Sequence, residues 1–481
     1  MEAPPPAPDG FALARRVFLA LLGLSYVSAF ASFAVQARGL LGAQGVVPFA
    51  WNLGGFWDTP SLLQWWPSDA AMAACWVLGL GCGAALIAGR WTRAAAAAAY
   101  ALYLSLVSAG GLFLSYQWDV LLLETGFLAI FLASRARPPS AVGLFLGRAL
   151  LFKLMVLSGA VKLASGDPAW RNLTALQYHY WSQPLPTWPA WFADLAPLWF
   201  DRASEAAMFA IELGAPFLLF GPRRARHLGA ALLAFLQLAI AATGNYGFFN
   251  LLTLCLCALQ VDDGVWRRLP GLRRLPEPLP PLRGARWFRA GWVALAALWL
   301  SASALEAWRR FDRRGLPGWL EAARERVEPF HLASSYGLFA VMTREREEID
   351  LEGSADGATW KPYRFPYKPG PLDERPRFAL LHMPRLDWQM WFASLGSCDG
   401  NEWLLLLQLR LLEGRPEVRA LFDEAPFPDA PPRYLRTRIA PYRFAPFAEL
   451  RARGTWWTRG ADRPYCPAVT LDGGRLRAVP K

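Results

Sequence analysis

The chain is poor in the residues that soluble catalytic and metal-binding sites use most. Its 481 residues include only four His, six Cys and five Lys, and 18% of them are charged. The histidines are scattered, and no C-x-x-C, Walker A, G-x-S-x-G or H-E-x-x-H pattern occurs. These absences argue against a thioredoxin-type redox centre, a P-loop and a zinc protease, so the sequence predicts no metal and no cofactor. The low charge also excludes a disordered chain.

Apolar residues are abundant instead, and they are unevenly spread. They make up 54% of the chain, which includes 24 Trp, and they concentrate before residue 306. Because a helix needs about 20 apolar residues to cross a bilayer, the sequence predicts a bundle of about nine membrane-spanning helices. The predicted spans are 17–37, 70–89, 94–118, 117–134, 144–165, 206–220, two short helices within 228–261, and 291–305.

The positive charge indicates which side of the membrane each loop occupies. Net charge is +12, nearly all of it from Arg, and no basic run with interleaved aromatics indicates nucleic-acid binding. Cytoplasmic loops carry the excess of Lys and Arg. Placing the N-terminus in the cytoplasm, with an uncleaved first span, puts most loop arginines on that side, apart from the basic segment 309–314. These arginines are Arg15, Arg16, Arg90, Arg93, Arg135, Arg137, Arg223, Arg224, Arg226, Arg267, Arg268, Arg273, Arg274 and Arg283.

The last third of the chain is more polar and is expected outside the cytoplasm. Residues 336–342, 348–352, 359–367 and 434–444 read as strands, and 386–395 and 402–413 as helices. The pattern predicts an α+β or β-sandwich-like domain over 336–453, joined by a connector (307–335) to a transmembrane domain (1–306) and followed by a tail (454–481). An oxidising compartment permits a disulfide between Cys398 and Cys466, the two cysteines of this region. The aromatic side chains of Trp388, Trp391 and Trp403 are candidates for an exposed platform, and the alternative that we favour is ordinary core packing.

Ionisable residues inside the predicted spans are candidate functional groups, because their desolvation is costly. Span four carries the acids, and span five carries amines, so ion pairs between the two spans are expected. The candidates are Gln117, Asp119, Glu124, Lys153 and Lys162.

An aromatic loop over residues 165–200 follows span five and is expected to lie at the membrane interface. Asp167 followed by Pro168 is typical of a helix N-terminus. His179 has the chemistry of a base, but the sequence shows no partner for it. The candidate residues of this loop are Asp167, Trp170, Arg171, Asn172 and His179.

Several of these stretches, in order along the chain, resemble the lipase maturation factor family. The strongest is Pro384-Arg385-Leu386-Asp387-Trp388-Gln389-Met390-Trp391-Phe392. The other matching stretches are 117–127, 157–162, 165–180, 246–252, 336–342, 352–354, 367–370 and 431–434.

The resemblance implies a folding factor rather than an enzyme. Vertebrate members are multi-span proteins of the endoplasmic reticulum that help secreted lipases fold and assemble. The Arg-rich composition and the absence of a retention tail lead us to expect a bacterial member, in the inner membrane with its C-terminal domain in the periplasm. Its partners would be the bilayer and exported clients, and the oligomeric state stays open. A client would contact Arg385, Asp387, Trp388, Gln389 and Trp391.

Two other functions stay open on the sequence. One is a redox or lipid-modifying membrane enzyme that uses the buried acids and lysines of spans four and five. The other is a transporter, for which the break at 243–247 between two short helices is the relevant feature.

Overall fold

The structure is a computed structural model that describes residues 10–133, 139–272, 286–312 and 315–479. Seven arginines from the charge pattern and the basic segment lie outside the described residues: Arg135, Arg137, Arg273, Arg274, Arg283, Arg313 and Arg314. The membrane part is helical, with these bounds: α1 Ala12–Leu41, α2 Asp69–Ala88, α3 Thr92–Gly110, α4 Gln117–Leu132, α5 Ala141–Ala164, α6 Pro168–Arg171, α7 Leu176–Ser182, α8 Trp188–Asp194, α9 Leu198–Leu218, α10 Arg223–Thr243, α11 Phe249–Ala258, α12 Asp263–Trp266 and α13 Arg286–Phe311.

Six helices in the described part of the chain are long and apolar enough to cross a membrane. They are α1, α2, α3, α5, α10 and α13. Helices also occupy the other three predicted spans, but α4 has 16 residues, α11 has 10, and α9 buries three carboxylates. The count of nine spans is therefore not confirmed.

Close contacts between small residues bring α1 and α2 together. A Cβ atom on Gly23 would lie 2.6 Å from the carbonyl oxygen of Gly83, and one on Gly79 would lie 2.4 Å from the ring of Phe30. Such contacts let backbones approach closely where no hydrophobic effect drives association in lipid.

The bundle has two chemically different ends. At one end, which we call the arginine end, Asp263 accepts hydrogen bonds from the first backbone N–H groups of α1, and Asp262 pairs with Arg223 and Arg226. Arg16 donates to the last carbonyls of α2 at this end. At the opposite end, which we call the domain end, the C-terminal part of the chain covers the helices.

The C-terminal part is an α+β domain built on a single antiparallel sheet. The elements are α14 Gly318–Val327, β1 Glu347–Ser354, β2 Lys361–Pro362, α15 Arg385–Ser394, α16 Glu402–Leu412, α17 Pro416–Arg419, β3 Tyr434–Phe444, α18 Phe447–Arg453, β4 Trp457–Arg459, β5 Arg463–Asp472 and β6 Arg475–Ala478. The sheet order is β2-β1-β3-β5-β6, and β4 pairs with β3. Helix α15 packs against β1, and α16 packs against β3, β5 and β6.

The predicted elements of this domain are partly right. Helices α15 and α16 and strand β3 lie where the sequence predicts them, and β1 overlaps the predicted 348–352. The strand predicted at 336–342 is wrong, and the one at 359–367 shrinks to β2. Residues 454–478, predicted as part of a tail, contribute β4, β5 and β6 to the sheet. The sandwich alternative is not confirmed, because the described strands form one sheet.

A disulfide joins Cys398, just after α15, to Cys466 on β5. Their Cα atoms are 5.4 Å apart. The bond therefore ties a helix of the domain to the part of the sheet that the sequence assigned to a tail.

Candidate functional site

The candidate site is a set of polar contacts between the domain end of the bundle and two segments of the C-terminal part. The first segment, residues 330–346, follows α14. The second, residues 377–391, leads into and through α15. We call them the first and second insertion segments.

Arg385 of the second insertion segment enters the bundle and pairs with Asp119 of α4. Its two terminal nitrogens lie 2.7 and 2.8 Å from the two carboxylate oxygens, and the hydroxyl of Tyr103 on α3 also donates to Asp119. Arg385 and Asp119 are both fully buried. Burial alone would lower the pKa of Arg385, but the Asp119 carboxylate raises it, so the guanidinium stays charged.

Glu124 of α4 joins the bundle to the first insertion segment. One carboxylate oxygen lies 2.5 Å from Nζ of Lys153 on α5, and the other accepts the hydroxyl hydrogen of Tyr336. Lys153 also donates to Ser303 of α13 at 3.0 Å, and its ammonium lies 4.9 Å from the ring centre of Trp299. Both oxygens of this acid are thus bound within the protein.

The expected ion pairs between spans four and five form only in part. Glu124 pairs with Lys153 as the sequence predicts. Lys162 instead binds Glu212 of α9, at 2.7 and 2.8 Å, and Asp119 binds Arg385. Gln117 accepts a hydrogen bond from the backbone N–H of Gly337.

Asp167 holds the aromatic loop against the first insertion segment. It caps α6 by accepting from the N–H of Ala169 at 2.9 Å, as the Asp-Pro pattern indicates. It also accepts from the N–H of Met342 and from Arg344, each at 2.6 Å. Burial works against ionisation, but these donors hold the pKa of Asp167 below its ordinary value.

Of the other candidate residues in the aromatic loop, one is buried and two are exposed. Trp170 is buried, and its indole N–H donates to the carbonyl of Phe339 at 3.0 Å. Arg171 and Asn172 are exposed. The aromatic loop therefore lies beneath the C-terminal domain along part of its length, and only some of it is free to face a membrane.

His179 lies in a neutral aromatic environment. Its Nε2 is 3.4 Å from the hydroxyl of Tyr246, and its ring is 4.9 Å from that of Phe339. Burial, followed by the charge of Lys162, lowers the pKa of His179 to about 4. Among the described residues, no carboxylate is hydrogen-bonded to His179, so the geometry does not equip it as the base of an acid–base pair.

The proposed client-contact motif is buried, which corrects the sequence interpretation. Gln389 and Trp391 donate to the carbonyls of Leu112 and Ser182. The motif therefore attaches the domain to the bundle. Of the two interpretations of the three indoles, an exposed platform and core packing, their burial supports core packing. The buried side chains are Arg385, Asp387, Trp388, Gln389, Trp391 and Trp403.

Sequence reasoning missed several residues that complete the site. Arg346, fully buried, donates to Glu348 and to the carbonyls of Trp181 and Pro184. It lies in the charged run 344–348, which resembles a solvent-exposed face. The sequence did contain a signal for Glu212, because it is a charged residue inside the sixth predicted span, 206–220.

The polar contacts of the candidate site attach the C-terminal domain to the bundle. Arg385 and Arg344 neutralise Asp119 and Asp167 across the interface between the bundle and the domain. Lys153 and Lys162 neutralise Glu124 and Glu212 within the bundle. Within the described ranges, no group of three His, Cys, Asp or Glu side chains is arranged to hold a metal ion.

Comparison with known proteins covers both parts of the chain. A family model described as lipase maturation factor transmembrane domain matches residues 13–268, and one described as lipase maturation factor C-terminal domain matches residues 332–467. Lipase maturation factor 2 of Rattus norvegicus is 33% identical over 97% of this chain and 84% of its own length. Lipase maturation factor 1 of Bos taurus is 33% identical, with 96% and 89% covered, and that of Homo sapiens is 32% identical, with 96% and 88% covered. No solved structure matches.

Proposed function

The chain belongs to the lipase maturation factor family, and from this membership we propose that it assists the folding and assembly of exported, lipase-like proteins at the membrane. The observation that carries the proposal is that both family domains match in one chain. The buried contacts between the two domains, Arg385 with Asp119 and Tyr336 with Glu124, support a further step, in which the domain acts while fixed to the bundle rather than on a flexible tether. The family also makes the chain a multi-pass membrane protein.

The same geometry weakens the enzyme alternative. A buried acid or amine that acts in catalysis needs an open position beside it for a substrate. Asp119, Glu124 and Lys153 instead bind protein groups at distances between about 2.5 and 3 Å. Their arrangement favours structural ion pairs.

We extend the proposal to topology. Nine helices, α1 to α5, α9, α10, α11 and α13, would cross the membrane, with the arginine end in the cytoplasm. Support comes from the partition of contacts: Arg16, Arg223 and Arg226 share one end, and the insertion segments cover the other. Residues 1–306 would form the membrane unit, 307–335 a connector, and the remainder an extracytoplasmic unit extending to β6. In a bacterium this side is the periplasm, and in a eukaryote it is the lumen of the endoplasmic reticulum.

Cysteine labelling in intact cells tests this orientation. Gly473→Cys lies in the turn between β5 and β6, and Trp91→Cys lies between α2 and α3; both positions are exposed. A membrane-impermeant maleimide should label the first variant in spheroplasts and the second only after lysis. The reverse pattern would overturn the proposed orientation.

Secreted lipase activity tests the function. Cells that lack this protein should secrete lipases and esterases of lower specific activity, and the intact chain should restore it. Arg451→Ala, an exposed change on α18, is the matched control and should restore activity fully. Normal abundance and normal specific activity of every secreted lipase and esterase in the deficient cells would contradict the proposal.

A further inference from the structure

A tryptophan-rich loop between α1 and α2 forms an exposed apolar surface that the polar site does not use. We call residues 49–66 the tryptophan loop. Its side chains Trp51, Trp57, Trp65 and Trp66 are each more than half exposed. Asp58 is the only charged residue in the whole connection 42–67. An aromatic surface with so little charge marks a binding or membrane-contact site.

Hydrogen bonds fix the depth of this loop beside α3. Ser61 donates to the backbone carbonyl of Ser105 at 2.8 Å, and the N–H of Leu62 donates to the Ser105 hydroxyl at 3.0 Å. Ser105 lies five residues before Gly110, the last residue of α3, which corresponds to about 7 Å below the helix end. With 19 residues, α3 is about 28 Å long, close to the thickness of the hydrocarbon layer. With α3 spanning the bilayer, the loop runs at the level of the leaflet on the domain side, which is the outer leaflet in the proposed orientation.

The loop also contacts the start of the first insertion segment. The rings of Phe56 and Trp57 lie 6.3 and 5.9 Å from that of Phe330. The carbonyl of Phe330 accepts the hydroxyl hydrogen of Tyr100, which lies ten residues below the end of α3. The same aromatic cluster thus connects a loop of the bundle to the point where the chain turns into the C-terminal domain.

Two partners fit an exposed aromatic surface with little charge, and the depth of the loop along the helices distinguishes them. A folding client would approach from the aqueous side, beyond the ends of the helices. A lipid bilayer meets the protein alongside the helices, where the loop is anchored to Ser105. Tryptophan also favours the headgroup level, since its ring is apolar and its N–H can bind phosphate or ester oxygens. In the described structure, no hydrogen bond joins the indole nitrogens of Trp57, Trp65 or Trp66 to another protein atom.

We propose that the tryptophan loop is an interfacial anchor embedded in the outer leaflet of the bilayer. Phospholipid headgroup and glycerol-ester oxygens accept hydrogen bonds from its indoles, and the upper acyl chains contact its rings. Through Phe330, the anchor sets the height at which the C-terminal domain stands above the membrane. This inference concerns the membrane contact and does not depend on which client the protein serves.

Collisional quenching of a site-specific probe tests the anchor. The four free cysteines of the chain, Cys75, Cys82, Cys255 and Cys257, are first changed to Ala, and the protein is placed in phosphatidylcholine nanodiscs. Trp57→Cys or Trp65→Cys is then labelled with a nitrobenzoxadiazole fluorophore. Lipid bearing a nitroxide near its headgroup should quench both positions more strongly than Leu78→Cys, which lies midway along the exposed face of α2, and aqueous iodide should quench them weakly. Arg477→Cys on the exposed β6 strand should show the opposite behaviour.

A second measurement avoids the bulky probe. In nanodiscs of brominated phosphatidylcholine, the combined change Trp57→Phe, Trp65→Phe and Trp66→Phe should lower the quenchable fraction of tryptophan fluorescence. Trp360→Phe in the C-terminal domain should leave it unchanged. Iodide-accessible probes at positions 57 and 65, or an unchanged quenchable fraction in the triple variant, would overturn the anchor. Protection of such probes by an added lipase would assign the surface to a client instead.

Discussion

Single buried charges decide how firmly the C-terminal domain is held, and Asp119 with Arg385 is the clearest case. Both side chains are fully buried and doubly hydrogen-bonded to each other. Removing one partner of such a pair leaves an uncompensated charge, which costs about 3–5 kcal/mol. Arg385→Met or Asp119→Leu alone should therefore lower the free energy of unfolding in detergent by that amount, as measured by thermal or denaturant unfolding.

The double variant is the informative control. Asp119→Leu with Arg385→Met removes both charges, so it should be less destabilised than either single variant. Arg364→Ala breaks an exposed pair with Glu424, in which both side chains are about half exposed, and should cost less than about 1 kcal/mol. Equal losses from the single and double variants would show that the charges are not coupled.

The carboxyl group of Asp387 predicts a pH dependence of stability. Burial raises its pKa from 3.8 to about 6, although it accepts hydrogen bonds from the N–H groups of Tyr367 and Lys368. The native state thus binds this proton more tightly than the unfolded state does. The corresponding stability is present below about pH 4 and is lost as the pH rises through about 6, a change of about 3 kcal/mol.

Asp387→Asn removes this titration, so the stability of the wild type relative to the variant should fall between about pH 4 and about pH 6.5. The comparison is necessary because His382 acts in the opposite direction. Burial, followed by the charge of Arg385, lowers the pKa of His382 to about 4, so its contribution grows as the pH rises. A constant difference between wild type and variant across this range would refute the assignment to Asp387.

These residues also show which ion pairs can be predicted from the sequence and which cannot. The pair Glu124–Lys153 could be predicted because both lie on neighbouring spans. The partner of Asp119 could not, because Arg385 is 266 residues away in a part of the sequence that resembles a soluble domain. Local patterns carry no information about such distant pairing, and the short motif around Arg385 is equally consistent with an exposed contact.

Helix packing in the membrane rests on glycines whose neighbours leave no room for a side chain. On α2, a Cβ at Gly79 would lie 2.4 Å from the Phe30 ring, whereas one at Gly81 meets nothing within 4 Å. Gly79→Ala should therefore destabilise the bundle by about 1–3 kcal/mol through overpacking. Gly81→Ala, on the same helix, should be neutral or stabilising by up to about 1 kcal/mol because alanine favours helix. Thermal unfolding in detergent measures both, and equal effects would exclude steric contact as the cause.

Some elements are shorter than a membrane span because another part of the chain packs over their ends. Helix α11, with ten residues, is about 15 Å long, half the hydrocarbon thickness. The second insertion segment lies over its start: Met383 contacts Gly247, where φ is +56° and a Cβ would lie 2.8 Å from the Met383 sulfur. Met383 also binds Ser32 and Gln36 of α1. The apolar run of α11 is therefore long enough for only about half a span. Its own sequence does not show that the second insertion segment lies over its start.

Residues 336–342 fail as a strand for the same reason. Their alternation of large and small residues is typical of a strand, but their backbone and side chains bind the bundle at Gln117, Glu124 and Asp167. Strand β3, whose partners are within its own domain, is predicted correctly. The pattern thus succeeds for β3, which pairs within its own domain, and fails at 336–342, where contacts with the bundle shape the chain.

The molecule as a whole behaves as one packed body in which the membrane bundle and the C-terminal domain share a core. A single hydrophobic cluster of buried residues runs from Phe18 of α1 to Val469 of β5. The polar contacts of Asp119, Glu124 and Asp167 surround this shared core at the domain end. A maturation factor built in this way holds its C-terminal domain at a fixed position relative to the membrane bundle.

This architecture predicts that the two parts remain together after the chain is cut between them. A specific protease site inserted after Gly315, where φ is +79° and an added Cβ would meet no atom within 4 Å, should allow cleavage between α13 and α14. In mild detergent the two fragments should co-purify, because the shared core and the ion pairs hold them together without the connecting peptide bond.

The variant Arg385→Ala with Asp167→Ala removes two of the polar attachments and should release the C-terminal fragment at a lower denaturant concentration. Arg451→Ala on α18 should release it at the same concentration as the wild type. Separation of the wild-type fragments on cleavage alone would mean that the connector, rather than the shared core, holds the domain to the membrane bundle.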